Sequence, residues 1–224
     1  MFDSKMYNSK NFVIVEFVFL FLVLPLILFF LTPIPVLPFL WLVAIWCFFI
    51  LKKEAKLPKE KFTSFKGLNK VFLTIFIQFL IISFILLAFV YFFMPDKIFS
   101  LIRDNPLFWL AIMIIYPTLS VYPQELVYRV YFFYRYENIF KNRNLLIYLN
   151  AFLFGYMHIL FHNWIAVVLT IAGGYIFAKL YEKTHSLMIL FVAHSLYGCM
   201  LFTIGLGEYF YTGTVLTVSE TFNF

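Results

Sequence analysis

The sequence predicts an all-α fold, a polytopic transmembrane bundle of about seven or eight helices, on three observations. The chain of 224 residues is 64% hydrophobic and 12% charged, with a mean hydropathy of +0.93. Soluble domains carry about 45–50% apolar and about 25% charged residues, so a water-soluble fold is excluded. The apolar residues gather in runs close to the ~20 residues a helix needs to cross ~30 Å of hydrocarbon. These runs are continuous rather than alternating, as expected of helices, which satisfy their own backbone hydrogen bonds in lipid, and not of a barrel.

The runs, in order, are Phe12 to Leu31, Val36 to Leu51, Val71 to Met94, Phe108 to Phe140, Leu145 to Phe161, Trp164 to Tyr181 and Ser186 to Leu206. The first is too long for a signal-peptide core and lacks a small-residue cleavage site, so it reads as a retained span. The connectors set the orientation. Lys52, Lys53, Lys56, Lys59, Lys61, Lys66 and Lys70 crowd the second connection against Glu54 and Glu60 alone. The positive-inside rule puts that segment in the cytoplasm, and the N-terminus with Lys5 and Lys10 on the same side. Lys141, Arg143, Lys179 and Lys183 then fall inside, and Glu208 and Glu220 outside, provided Phe108 to Phe140 crosses once. Pro117 and Pro123 each remove a backbone donor and accommodate that long crossing by bending it. The plasma (inner) membrane is the expected location.

The expected organisation is one membrane domain. Residues 1–107 form the N-terminal helices with the lysine-rich loop 52–70, residues 108–206 the core, and residues 207–224 a short extracytoplasmic tail. The net charge of +6 sits mostly in short connectors, which argues against a nucleic-acid partner. Cys47 and Cys199 lie inside apolar runs, which excludes a disulfide scaffold and a cysteine-based zinc site.

Ionisable residues inside a membrane are expensive and are functional candidates by default. In the fourth run Glu125 and Arg129 stand four apart on one helical face, with Gln124 one step round. They read as an internal ion pair or as part of a site. His158 lies in the fifth run, with His162 one turn later at its outer end. His194 lies in the last run, followed by Ser195. At ~1.5 Å per residue Glu125 is roughly 22 Å, His158 roughly 20 Å and His194 roughly 12 Å from the inner ends of their spans. Allowing for tilt, one acid and two histidines from three helices can therefore converge on one cavity. A carboxylate and an imidazole are a competent water-activating pair, and a second imidazole can stabilise an oxyanion. Glu16, Arg135, Glu137 and His185 sit near the inner boundary, and Glu16 reads as a snorkelling or interfacial residue.

Three short motifs, Gln124-Glu125-Leu126-Val127-Tyr128-Arg129, Phe154-Gly155-Tyr156-Met157-His158 and His194-Ser195-Leu196-Tyr197-Gly198, resemble the EExxxR, FxxxH and HxxxN motifs of the CPBP family. These are glutamate-dependent intramembrane proteases related to CAAX prenyl endopeptidases and to bacteriocin-processing or immunity proteins. The resemblance covers roughly residues 108–206. It implies an intramembrane endopeptidase that cuts a membrane-anchored protein or peptide, with Glu125, His158 and His194 as catalytic residues. Gln124, Arg129 and Gly198 would support them, and His162 is a possible secondary member. Two positions depart from the pattern: Gln124 stands where the family has its first glutamate, and Gly198 where it has asparagine. Glutamine accepts no proton at neutral pH, so Glu125 is the expected base, with Arg129 holding it ionised. No cofactor is expected. The alternative is a divalent metal such as zinc on Glu125, His158, His194 and His162, since His and Glu are ordinary zinc ligands. A catalytically inactive peptide-binding or immunity protein of the same family is a second alternative, and a proton-relay transporter a third.

Overall fold

The computed structural model describes residues 9–31, 35–54 and 60–210. The lysines at 5, 56 and 59, Glu220 and most of the tail lie outside the described residues. Among those described the chain is helical without strands. Seven helices are long and apolar enough to cross a membrane: α1 Lys10–Leu31, α2 Val36–Lys53, α3 Leu68–Phe93, α4 Pro106–Tyr136, α5 Arg143–Phe161, α6 Trp164–Thr184 and α7 Leu187–Ile204. The chain is a multi-pass membrane protein. The long fourth run is one helix.

Local chemistry marks where these helices begin. Ser9, Asn105, Asn142, Asn163 and Ser186 each accept a backbone N–H three residues on, satisfying an amide that the first helical turn leaves unpaired. α4 also starts with Pro106, whose missing N–H is no loss at that position. α7 ends at Gly205 with φ +100°, a left-handed cap where a Cβ would strike the Lys97 backbone.

The two prolines inside α4 widen the helix rather than break it. Residues Pro117–Val121 and Leu126–Tyr131 form π-type turns on either side of Tyr122–Glu125, a common device at functional sites. Pro123 has no N–H to offer the Leu119 carbonyl four residues back. The Trp41 indole of α2 donates to that carbonyl instead, at 2.9 Å, meeting the requirement that a backbone acceptor in lipid be paired.

The bundle closes around α4, α5, α6 and α7. α5 and α6 run antiparallel in close contact because glycines face each other's helix. A Cβ on Gly155 would sit 2.1 Å from an Ile171 side-chain carbon, and one on Gly174 3.0 Å from the Ala151 carbonyl. This is the small-residue approach that drives packing where no hydrophobic effect separates helix from lipid.

Glu16 does not snorkel. It is buried at the lysine-rich end of the bundle, where Arg135 donates to it through Nε at 3.0 Å and Nη2 at 3.1 Å, and the Tyr131 and Tyr136 hydroxyls donate at 2.8 Å each. A single-span depth argument has no view of these partners, which come from residues more than a hundred positions away. The network pins α1 to α4. Replacing Glu16 by Gln keeps the shape but removes the buried negative charge on which Arg135 and the two tyrosine hydroxyls converge. Breaking such a pair costs about 3–5 kcal/mol, and the expected result is a clearly lowered unfolding midpoint in detergent. Near the same side Arg143 bridges Glu137 at 2.8 Å and Glu182 at 2.7 Å, tying the start of α5 to the ends of α4 and α6.

Candidate active site

The site is built on α4, α5 and α7. Tyr116, Ser120, Gln124 and Tyr128 recur every four residues along α4 and line one cavity of about 330 Å³, which reaches towards α2. A second cavity, of about 280 Å³, opens on the other side between α3, α6 and α7. Tyr116, Ser120, Gln124, His158, Phe161 and Phe202 line both. The polar groups therefore stand where two apolar cavities meet.

Glu125 turns away from that space. Neighbouring positions on a helix differ by about 100°, so Gln124 lines the cavities while Glu125 points behind them and is fully buried. Its Oε1 accepts a hydrogen bond from His194 Nδ1 at 2.7 Å. Its Oε2 lies 3.5 Å from Arg129 Nε. Arg129 is as deeply buried, and its guanidinium lies 4.6 Å from the centre of the Phe154 ring, so the cation is balanced by one carboxylate and an aromatic face. The ion-pair reading and the site reading of Glu125 thus describe the same side chain, one oxygen to each partner.

Because Nδ1 of His194 carries its proton toward Glu125, the other ring nitrogen is an acceptor. The Tyr116 hydroxyl donates to Nε2 at 3.2 Å. The imidazole is stacked on Phe177, with ring centres 4.6 Å apart. The result is a fixed chain, Glu125 to His194 to Tyr116, with only its last two members on a cavity wall.

His158 is held differently. It follows the last α-helical turn of α5, where its Nδ1–H donates to the Phe154 carbonyl at 2.7 Å. That leaves Nε2 as the lone-pair nitrogen, since one nitrogen of a neutral imidazole is a donor and the other an acceptor. Gln124 donates through Nε2 to Ser120 Oγ at 2.7 Å, and its Oε1 is buried with no hydrogen-bond partner. The two side chains thus line the same two cavities, one with an unpartnered acceptor oxygen and the other with a lone-pair nitrogen.

Of the residues read from the sequence, Glu125, Arg129 and His194 are in contact, and Gln124, His158 and His194 line a common cavity. His162 is not with them. It sits in the turn between α5 and α6 with φ +55°, its ring 4.3 Å from that of Phe29 on α1. Ser195 lines neither cavity. Among the described residues no three His, Cys, Asp or Glu side chains converge as a metal site requires. His158 spends one nitrogen on a backbone carbonyl and His194 spends both on protein partners.

Tyr116 and Ser120 escaped sequence reading, although the four-residue spacing 116, 120, 124 was there to be seen. The reason for Gly198 is also visible only in three dimensions. A Cβ there would lie 2.2 Å from the Tyr116 hydroxyl oxygen and 2.3–2.5 Å from its ring carbons. The position that bears asparagine in the HxxxN motif is empty here, and a tyrosine from α4 fills the space beside His194.

The bundle thus gathers two histidines, a buried acid and an arginine inside three of its seven long apolar helices. Residues 104–200 match the family described as type II CAAX prenyl endopeptidase Rce1-like. The resemblance to the CPBP family that the three motifs carry is therefore borne out over the segment that contains them, a little under half of the chain. Searches of curated proteins and of solved structures returned no match.

Proposed function

We propose that this protein is an intramembrane endopeptidase that cleaves a membrane-anchored protein or peptide with water, without a covalent intermediate. One observation carries the reading: the unpartnered carbonyl oxygen of Gln124 and the lone-pair nitrogen of His158 belong to side chains on the wall common to both apolar cavities. A water there donates one hydrogen to Gln124 Oε1 and the other to His158 Nε2. His158 takes the proton as the oxygen attacks the peptide carbonyl, the step a positioned general base accelerates by about 10²–10⁴. The developing oxyanion is met by the Tyr116 hydroxyl, whose one proton turns from His194 Nε2 to the new oxygen, with Glu125 holding His194 in place from behind. The proton on His158 then passes to the leaving amine.

This moves Glu125 from base to orienting group, because its carboxylate is sealed from the cavities. Gln124 binds the water without accepting its proton, and that favours a slow enzyme. It is also what an inactive peptide-binding or immunity protein of the same family would carry.

A membrane-anchored substrate fits the two apolar cavities, one on each side of the polar groups. The family's name makes a prenylated peptide ending in Cys-aliphatic-aliphatic-X the first substrate to try. The charge pattern supports a cytoplasmic N-terminus in the plasma membrane. Phe161 and Phe210, which line both cavities, lie at the opposite end of the bundle from the lysine-rich segment, so substrate would enter from the outer half of the bilayer.

The test is Gln124→Glu in reconstituted vesicles. The expected result is at least a tenfold rise in cleavage of a lipidated reporter peptide, insensitive to chelators. A variant that cleaves no faster than a native chain with no activity would support the binding-protein reading. Cleavage abolished by a chelator and restored by zinc would favour the metal-assisted variant.

A further inference from the structure

On the side of the bundle that carries the lysine-rich connection, α3, α6 and α7 part to leave a third cleft of about 320 Å³. It is distinct from the proposed catalytic cavities and shares only Ile176 and Tyr197 with the nearer of them. Lys179 and Lys183 line it one helical turn apart on α6, both exposed. Among the described residues neither has a carboxylate partner, and the acid next to them, Glu182, is bonded to Arg143. Facing them from α3 are Thr74 and Gln78, and Tyr197 of α7 completes the wall. Tyr197 is 9% exposed and its hydroxyl has no hydrogen-bond partner, although a buried phenol ordinarily finds one.

We propose that this cleft binds the headgroup and ester region of an anionic phospholipid. The polar groups are stacked by depth in the way that lipid requires. Lys183 lies at the end of α6, and Lys179 about 6 Å further in at 1.5 Å per residue. Gln78 lies roughly 12 Å into the membrane from Lys70 on the same rise. The ammonium groups stand at phosphate level. Below them Thr74, Gln78 and Tyr197 all offer donors, and the ester carbonyls of a phospholipid are acceptors only. The aliphatic faces of α3 and α6 line the remaining wall, along which the acyl chains run. Two unpaired cations favour a lipid of net negative charge over a zwitterionic one, whose own cationic group they repel. Basic pockets between membrane helices on the cytoplasmic side recognise such headgroups.

The experiment is a titration of the purified full-length protein in detergent with phosphatidylglycerol or phosphatidylcholine, read by native mass spectrometry as bound lipid. The native chain is expected to hold one phosphatidylglycerol at least tenfold more tightly than phosphatidylcholine. Lys179→Gln with Lys183→Gln removes that preference and weakens phosphatidylglycerol by roughly 30-fold, at about five- to sixfold for each lysine near a membrane surface. Lys179→Arg with Lys183→Arg retains binding, which separates charge from folding. Tyr197→Phe weakens both lipids alike. The proposal is overturned if the double glutamine variant binds phosphatidylglycerol as the native chain does, or if the two lipids bind equally. It is also overturned if glycerol phosphate, which lacks acyl chains, displaces the lipid completely at equal concentration.

Discussion

Replacing His158 by alanine is expected to lower peptide cleavage by about 10²–10⁴-fold, the range that a general base supplies, while leaving the protein folded and abundant. The size follows from how the imidazole is held. Its Nδ1–H is committed to the Phe154 carbonyl at 2.7 Å, which fixes the tautomer and leaves Nε2 as the basic nitrogen on the cavity wall. Gln124, the only other polar side chain on both cavity walls with a free buried acceptor atom among the described residues, takes a hydrogen bond but no proton. Nothing nearby substitutes for the lost nitrogen, because Glu125 is sealed behind His194. Turnover of a reporter peptide in vesicles, set against the unfolding midpoint of the same preparations, measures the effect. An alanine variant within threefold of the native rate would remove His158 from the chemistry.

The second large effect is expected at Gly198, a residue with no functional group of its own. Gly198→Ala places a Cβ 2.2 Å from the Tyr116 hydroxyl and 2.3 Å from the nearest ring carbon, distances at which something must move. The ring lies between α4 and α7 and is packed on Phe202 with centres 5.3 Å apart, so the phenol is driven off His194. Losing one donor to a developing oxyanion costs about 10²–10³ in rate, and Tyr116→Phe should lose a similar factor without any steric change. The two effects should not multiply, since both remove the same hydroxyl. Substituting Tyr116 by Ala vacates the space, and adding Gly198→Asn in that background should recover part of the rate by restoring the amide of the HxxxN motif. A Gly198→Ala variant with native turnover would show that the Tyr116 hydroxyl takes no part.

How far the sequence foretold these features varies with the range of the interaction. The seven crossings were legible, because span length and composition are local properties set by the thickness of the bilayer. So was the single passage of α4, through the charge pattern at its ends. The three motifs placed Glu125, His158 and His194 in three of the seven long apolar runs, and α4, α5 and α7 pack so that Glu125 bonds His194 while His158 and His194 line one cavity. The contact between Glu125 and His194 spans 69 residues, and no periodicity reports it.

Gln124 and Glu125 show the limit from the other direction. The sequence put them on adjacent positions of one helix, yet a step of about 100° sends one to each side of a wall, and that step decides which of them lines the cavities. Gly198 was read as a supporting position that departs from the asparagine of the HxxxN motif. Its meaning depends on a tyrosine 82 positions earlier that becomes a neighbour only in the folded bundle. Glu16 was misread for the same reason, since its arginine and two tyrosines come from the far end of α4.

The most direct measurement is a comparison of protein termini in membranes from cells producing the native chain and cells producing His158→Ala at matched levels. New chain ends near the membrane boundary are expected with the native protein and are absent with the variant. Those ends identify the substrate as well as the activity. Identical sets of termini, with the variant folded and as abundant as the native protein, would contradict the peptidase assignment and leave the cavities as a binding site.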